Sequence, residues 1–268
     1  MTTRAWRFAA LAALVLNVTF DRLLDVVGGT PSVAAVSARY PTLFTPAGYA
    51  FAIWGLIYAA FFAYAVYQLM PSQAERGVHE RLVRPFIAYN LLGTLWLYAF
   101  RREWLAASVL VVVGMLIAGA AMYVRAQRAV DSGELAGPWR FPFRVYLGWI
   151  SVATIANVAV TLVAHGWRGG RWSEAAWAES MIGVATILGL AVGYRYRDAV
   201  YASVIAWAAA AIYVARRGEH PDVAAAAWTS ALVLLGWIAV LLVAKARGDD
   251  GRFERRIAGF SAGKGSPA

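Results

Sequence analysis

The sequence predicts an all-α fold, a polytopic integral membrane helix bundle of about eight transmembrane helices. Three observations predict it. Hydrophobic residues make up 61% of the 268-residue chain and charged residues only 15%, against roughly 45–50% and 25% in water-soluble domains. The apolar residues fall in eight runs, each bounded by charge, proline or glycine, and most approach the ~20 residues a helix needs to cross a bilayer. The basic residues are also shared unevenly between alternate connections, and short cytoplasmic loops are known to retain Lys and Arg.

In chain order, Trp6–Phe20 is the first span. Two Arg before a short apolar run resemble a secretory signal, but no small-residue cleavage site follows, so an uncleaved helix is expected, ended by Asp21, Arg22 and Asp25. The loop Leu23–Ala47 contains Gly28, Gly29, Pro31, Pro41 and Pro46. Surface-lying and irregular, it is long enough to fold over a pocket as a lid. Gly48–Tyr67, Val83–Phe100, Trp104–Val124 and Phe143–His165 are the next four spans. Ala176–Tyr194, with Glu179 near its start, Ala199–Ala215 and Val223–Ala246 complete the set. With eight spans, both tails and the second, fourth and sixth loops share one side, which receives 17 of the 25 Lys and Arg residues. That side is the expected cytoplasmic one, and the net charge of +10 reads as topology rather than as a nucleic-acid surface. The expected location is a bacterial cell membrane, as a multi-pass protein with both termini cytoplasmic.

Several chemistries find no support. Cysteine is absent, which removes disulfides, thiolate nucleophiles, iron–sulfur clusters and sulfur-ligated zinc. His79, His165 and His220 fall at loops or span ends, so no helix-buried pair is available for haem iron. Lys245 and Lys264 lie at or beyond the end of the last span, which argues against a buried Schiff base. No catalytic residue or metal ligand is nominated. Within the spans the distinctive groups are aromatic: Trp54, Tyr58, Trp96, Trp149, Trp207, Trp228 and Trp237. An indole N–H in hydrocarbon seeks an acceptor, so these are expected to face the bundle or a cavity. Asn90, Thr94, Ser151, Thr154 and Asn157 accompany them, either as hydrogen-bonding glue between helices or as polar points in a site for a flat apolar ligand.

The segment from Phe44 through Pro46, Gly48, Tyr49, Phe51 and Trp54 to Tyr58 resembles the signature of the TspO/translocator-protein family, the tryptophan-rich sensory proteins. Two later segments agree in order and spacing: Gly93-Thr94-Leu95-Trp96, and Tyr146-Leu147-Gly148-Trp149 followed by Asn157. The resemblance covers about residues 5–165. There are departures. Ala47 replaces a second proline, Tyr49 replaces a tryptophan, and Gly93 stands where the family usually has Asn, with Asn90 one turn earlier. The chain also continues for about a hundred residues beyond the usual five helices.

Three parts are expected: a TspO-like five-helix bundle over residues 1–165, which the resemblance implies, three additional transmembrane helices over 166–246, read from the apolar runs, and a disordered basic cytoplasmic tail over 247–268, read from its polar, Gly-rich composition. The resemblance further implies a pocket closed by the first loop and formed from Tyr49, Trp54, Tyr58, Asn90, Trp96, Tyr146, Trp149 and Asn157. Porphyrin or haem would enter it as ligand, with no cofactor required. Arg22 and Arg39 lie on the side of the pocket mouth, where either could meet a propionate or be an ordinary loop charge. The expected partners are a lipophilic small molecule, membrane lipids and, since family members often pair, a second copy in a homodimer.

Four functions remain open at this point. A non-catalytic sensor or receptor for the lipophilic ligand is the first. A transporter is the alternative, with Gly183, Gly189 and Gly193 permitting close packing or bending in the added helices. A porphyrin-degrading enzyme and a membrane scaffold complete the set.

Overall fold

The computed structural model describes residues 3–167 and 169–247, so the 247–268 tail lies almost wholly outside the described residues. All eight expected spans are helices: α1 (Thr3–Val27), α3 (Ile53–Tyr67), α4 (Val78–Arg101), α5 (Leu105–Asp131), α6 (Phe141–Ala164), α7 (Glu174–Tyr196), α8 (Ala199–Arg216) and α9 (Pro221–Ala246). A short helix, α2 (Val33–Arg39), interrupts the first loop, and a 3₁₀ turn at Gly48–Ala52 leads into α3. Among the described residues, six helical segments are long and apolar enough to cross a membrane, those built on α3 and α5 to α9. The exceptions are α1 and α4, and these two pack on each other.

Helices α1, α4, α5, α6 and α3 pack in that order, and α3 returns to α1, so the five close a ring. Below, the upper end is the one at which α1 and α4 finish and α3 begins. Phe61, Tyr89 and Tyr146 fill the ring's interior, with centroid separations of 5.3 Å (Phe61–Tyr89), 5.5 Å (Phe61–Tyr146) and 4.2 Å (Tyr89–Tyr146). Helix α8 packs outside the ring on α6, and α7 and α9 pack on α8. Gly148 makes the α6–α8 approach possible: a Cβ there would lie 2.8 Å from the Cβ of Val204. The three glycines of α7 divide. A Cβ at Gly189 or Gly193 would meet Leu234 or Trp237, which marks both as packing contacts, whereas Gly183 faces open space.

The first helix does not end at Asp21. It runs to Val27 and stops where Gly28 takes a φ of +77°, a conformation that costs a glycine little. The extension survives because Arg101, buried at the upper end of α4, reaches across. Its guanidinium donates to Asp21 Oδ1 and Asp25 Oδ1, both at 2.8 Å, and to the carbonyls of Asp21 and Thr30. At the lower end Arg7, also buried, donates to the carbonyls of Gln68, Gln73, Ala74 and Arg76 and so fastens the α3–α4 connection. Midway, Asn17 Nδ2 donates to Asn90 Oδ1 at 3.2 Å. The polar residues of α1 are thus spent on its neighbours, which is how a helix of modest hydropathy is held in an apolar bundle. Pro85 in α4 leaves the Arg81 carbonyl without its helical donor, and Arg125 Nη1 supplies one at 2.6 Å.

Candidate ligand-binding site

The eight nominated residues do not form one pocket. Trp54, Tyr58 and Trp149 do meet. Trp54 stands near-perpendicular to Trp149 at 6.4 Å between centroids and is stacked on Tyr58 at 5.5 Å. Phe51, one turn before Trp54, adds a second edge-to-face contact to Trp149 at 5.6 Å. Trp149 is 1% exposed and its indole Nε1 has no hydrogen-bond partner, while Trp54 and Tyr58 are half-buried and Phe51 is exposed. This cluster joins the start of α3 to the middle of α6.

Trp96 and Asn157 form a second group. Trp96 Nε1 donates to Asn157 Oδ1 at 2.6 Å, Asn157 Nδ2 donates to Ser108 Oγ at 2.9 Å, and Thr161 closes the network onto Leu105. That amide ties α4, α5 and α6 together, and its capacity is used within the bundle. Asn90 serves similarly, accepting from Asn17 and donating to the Phe86 carbonyl. Gly93 explains the family's missing Asn: a Cβ at this position would lie 2.9 Å from both terminal atoms of the Asn17 amide. Tyr146 is packed among Phe61 and Tyr89 and donates to the Met115 carbonyl at 3.3 Å. Thr94, Ser151 and Thr154 each donate to a carbonyl of their own helix.

Tyr49 is 47% exposed and lies edge-on to Trp207 of α8 at 5.3 Å. The expectation that interior tryptophans face the bundle fails for Trp207 and Trp228, at 41% and 44% exposed. Trp207 nevertheless finds an acceptor, the Ala50 carbonyl at 3.2 Å. Neither arginine offered for a propionate is unengaged: Arg39 pairs with Glu103, and Arg22 lies 3.8 Å from Asp25. Tyr40 donates to the other oxygen of Glu103 at 2.6 Å, a bond that, with partial burial, raises its phenol pKa. Val36 of α2 is buried with Phe100, Leu105 and Val160, so the first loop does cross the upper end of the ring.

Residues invisible to periodicity also emerge. Asp198, fully buried, caps α8 by accepting from the amides of Val200 and Tyr201. Its second oxygen takes the Tyr123 hydroxyl at 2.7 Å and lies 3.1 Å from Arg144 Nε. The pair joins α5 and α6 to the last three helices. Near the lower end, His79 is buried between Tyr64 and Gln73, at 3.1 and 3.3 Å. Burial holds its imidazole neutral down to a pKa of about 4, and the charges of Arg7 and Arg76 act in the same sense.

A closed five-helix ring with aromatic residues inside and at its rim, in a chain with six membrane-length apolar helices, defines a multi-pass membrane protein. The chain belongs to the TSPO-like protein family, whose signature matches residues 6–240. The match continues through α7, α8 and most of α9, well past the 5–165 covered by the sequence resemblance. Among curated proteins and solved structures, none matches the chain.

Proposed function

We propose that this protein is a non-catalytic receptor for a flat lipophilic molecule, with a porphyrin-like ring as the best-suited class, bound at Trp54, Tyr58 and Trp149. One observation carries the reading. Trp149 is buried with an unpaired indole N–H, and what covers it is a half-buried Trp54 and an exposed Phe51. A buried donor without an acceptor costs about 1–3 kcal/mol, and a ligand acceptor would recover that while its ring replaced the edge contacts. Membership of the family favours the same class. The uneven sharing of basic residues supports cytoplasmic tails.

The test is titration of the purified protein with protoporphyrin IX, read by tryptophan fluorescence. Saturable quenching is expected, with Trp54→Phe and Trp149→Phe each weakening apparent affinity by roughly five- to tenfold, as loss of one hydrogen bond or one ring contact implies. Quenching that never saturates, or that ignores both substitutions, overturns the proposal.

A further inference from the structure

The segment Thr42–Ala52, which leads directly into the Phe51–Trp54 cover of Trp149, is fastened to α8 along its whole length. Arg216 donates through Nε to the Leu43 carbonyl and through Nη2 to those of Thr42 and Thr45, at 3.0 to 3.2 Å. Ala47 N–H donates to the Ala211 carbonyl at 3.1 Å. Trp207 Nε1 donates to the Ala50 carbonyl, and Tyr49 rests edge-on against the same indole. Trp207 and Ala211 are about one helical turn apart and share a face of α8, and Arg216, the last residue of the helix, reaches the same segment through its long side chain. The Trp207 and Arg216 donors satisfy carbonyls of an irregular segment at the rim of an apolar bundle, where an unpaired carbonyl is costly.

We infer that α8 is the post to which a gating strap, Thr42–Ala52, is tied, with Arg216 and Trp207 as the positioning residues that hold Phe51 over Trp149. The last three helices then control access to the aromatic cluster without lining it. Opening requires Phe51 to leave Trp149, and Ala50 is its immediate neighbour, so the Trp207 bond is the first to part. Release further along the strap breaks the Ala47 bond and the Arg216 fork, which makes wide opening rarer than local opening. On the opposite side the first loop is secured by Arg39 and Tyr40 on Glu103, so motion is confined to the α8 side.

The experiment uses the full chain labelled with 5-fluorotryptophan in phosphatidylcholine nanodiscs, with fluorine resonances assigned by single Trp→Phe substitutions. A doxyl-labelled phosphatidylcholine is the paramagnetic probe. Trp207→Phe keeps a ring against Tyr49 but removes the indole donor, and Arg216→Lys keeps the charge but loses the fork. Each is expected to raise the broadening of the Trp149 signal about fivefold, with the signal of Trp139, stacked on Tyr67 at the lower end, unchanged. Trp149 broadening equal to that of the parent overturns the inference, as does equal broadening of Trp149 and Trp139, which marks general loosening. A second arm rests on the binding reading: protoporphyrin IX should associate and dissociate faster in both variants, by similar factors. If the parent binds no protoporphyrin saturably, the binding reading falls, and the fluorine result still decides the strap.

Discussion

Single residues set the limits of this bundle where backbones come closest. At Gly93 the side chain of Asn17 occupies the space a methyl group would need. Gly93→Ala must turn the amide away and break its bond to Asn90, so a loss of about 1–2 kcal/mol is expected in detergent thermal unfolding. Combining it with Asn17→Ala should cost less than the sum of the two single changes, because both remove one interaction. His79 makes a different prediction. Its native pKa of about 4 lies below the ordinary 6.5, so between those values the unfolded chain binds a proton that the native one refuses. Stability therefore falls as pH drops from 6.5 toward 4, by about 3 kcal/mol at most at 1.36 kcal/mol per unit. His79→Gln should flatten that part of the unfolding-midpoint profile. Of the aromatic residues singled out in the sequence, Trp54, Tyr58 and Trp149 are brought together because each lies at the α3–α6 contact. Trp96, Asn90 and Asn157 have the same composition but spend their polar atoms on other helices. Residue type alone does not separate these cases; the direction of the helix face does.

At the scale of elements, all eight runs were legible as helices because hydropathy acts locally, although by length and composition only six of the described segments qualify to cross a membrane. What was not legible is where α1 ends. Asp21 and Asp25 look like terminators until Arg101, 80 residues away, is found donating to the first of them, and no periodicity encodes a partner at that separation. Arg7, Asp198 and Arg144 escaped notice for the same reason. Replacing Arg101 by alanine leaves two half-exposed carboxylates that water can partly satisfy, so the expected result is local fraying. Hydrogen exchange should accelerate at least tenfold over the last two turns of α1, with the lower half of the helix protected as before. Arg101→Lys, lacking the fork, should fall between the two. The length of the first loop was legible, but not its fastening to α8 by Trp207 and Arg216.

For the whole molecule, the decisive contact is α6 against α8, since it joins the ring to the last three helices. Gly148→Leu would drive a side chain into Val204 and the Tyr201 carbonyl, neither of which is the loose end of a flexible chain. A loss of about 1–3 kcal/mol or more is expected in unfolding midpoints, together with uncoupling of the Asp198 and Arg144 pair. The pairing of α1 with α4 bears on how the protein is made. Neither is among the six helical segments that are both apolar and poor enough in charge to cross a membrane by composition, and the Asn17 and Asn90 amides that satisfy each other are 73 positions apart. During synthesis the opening helix has no proper counterpart until much of the ring has left the ribosome. Its amide gains a bundle partner only when α4 is in place, so stable insertion of the first helix is expected to depend on the fourth.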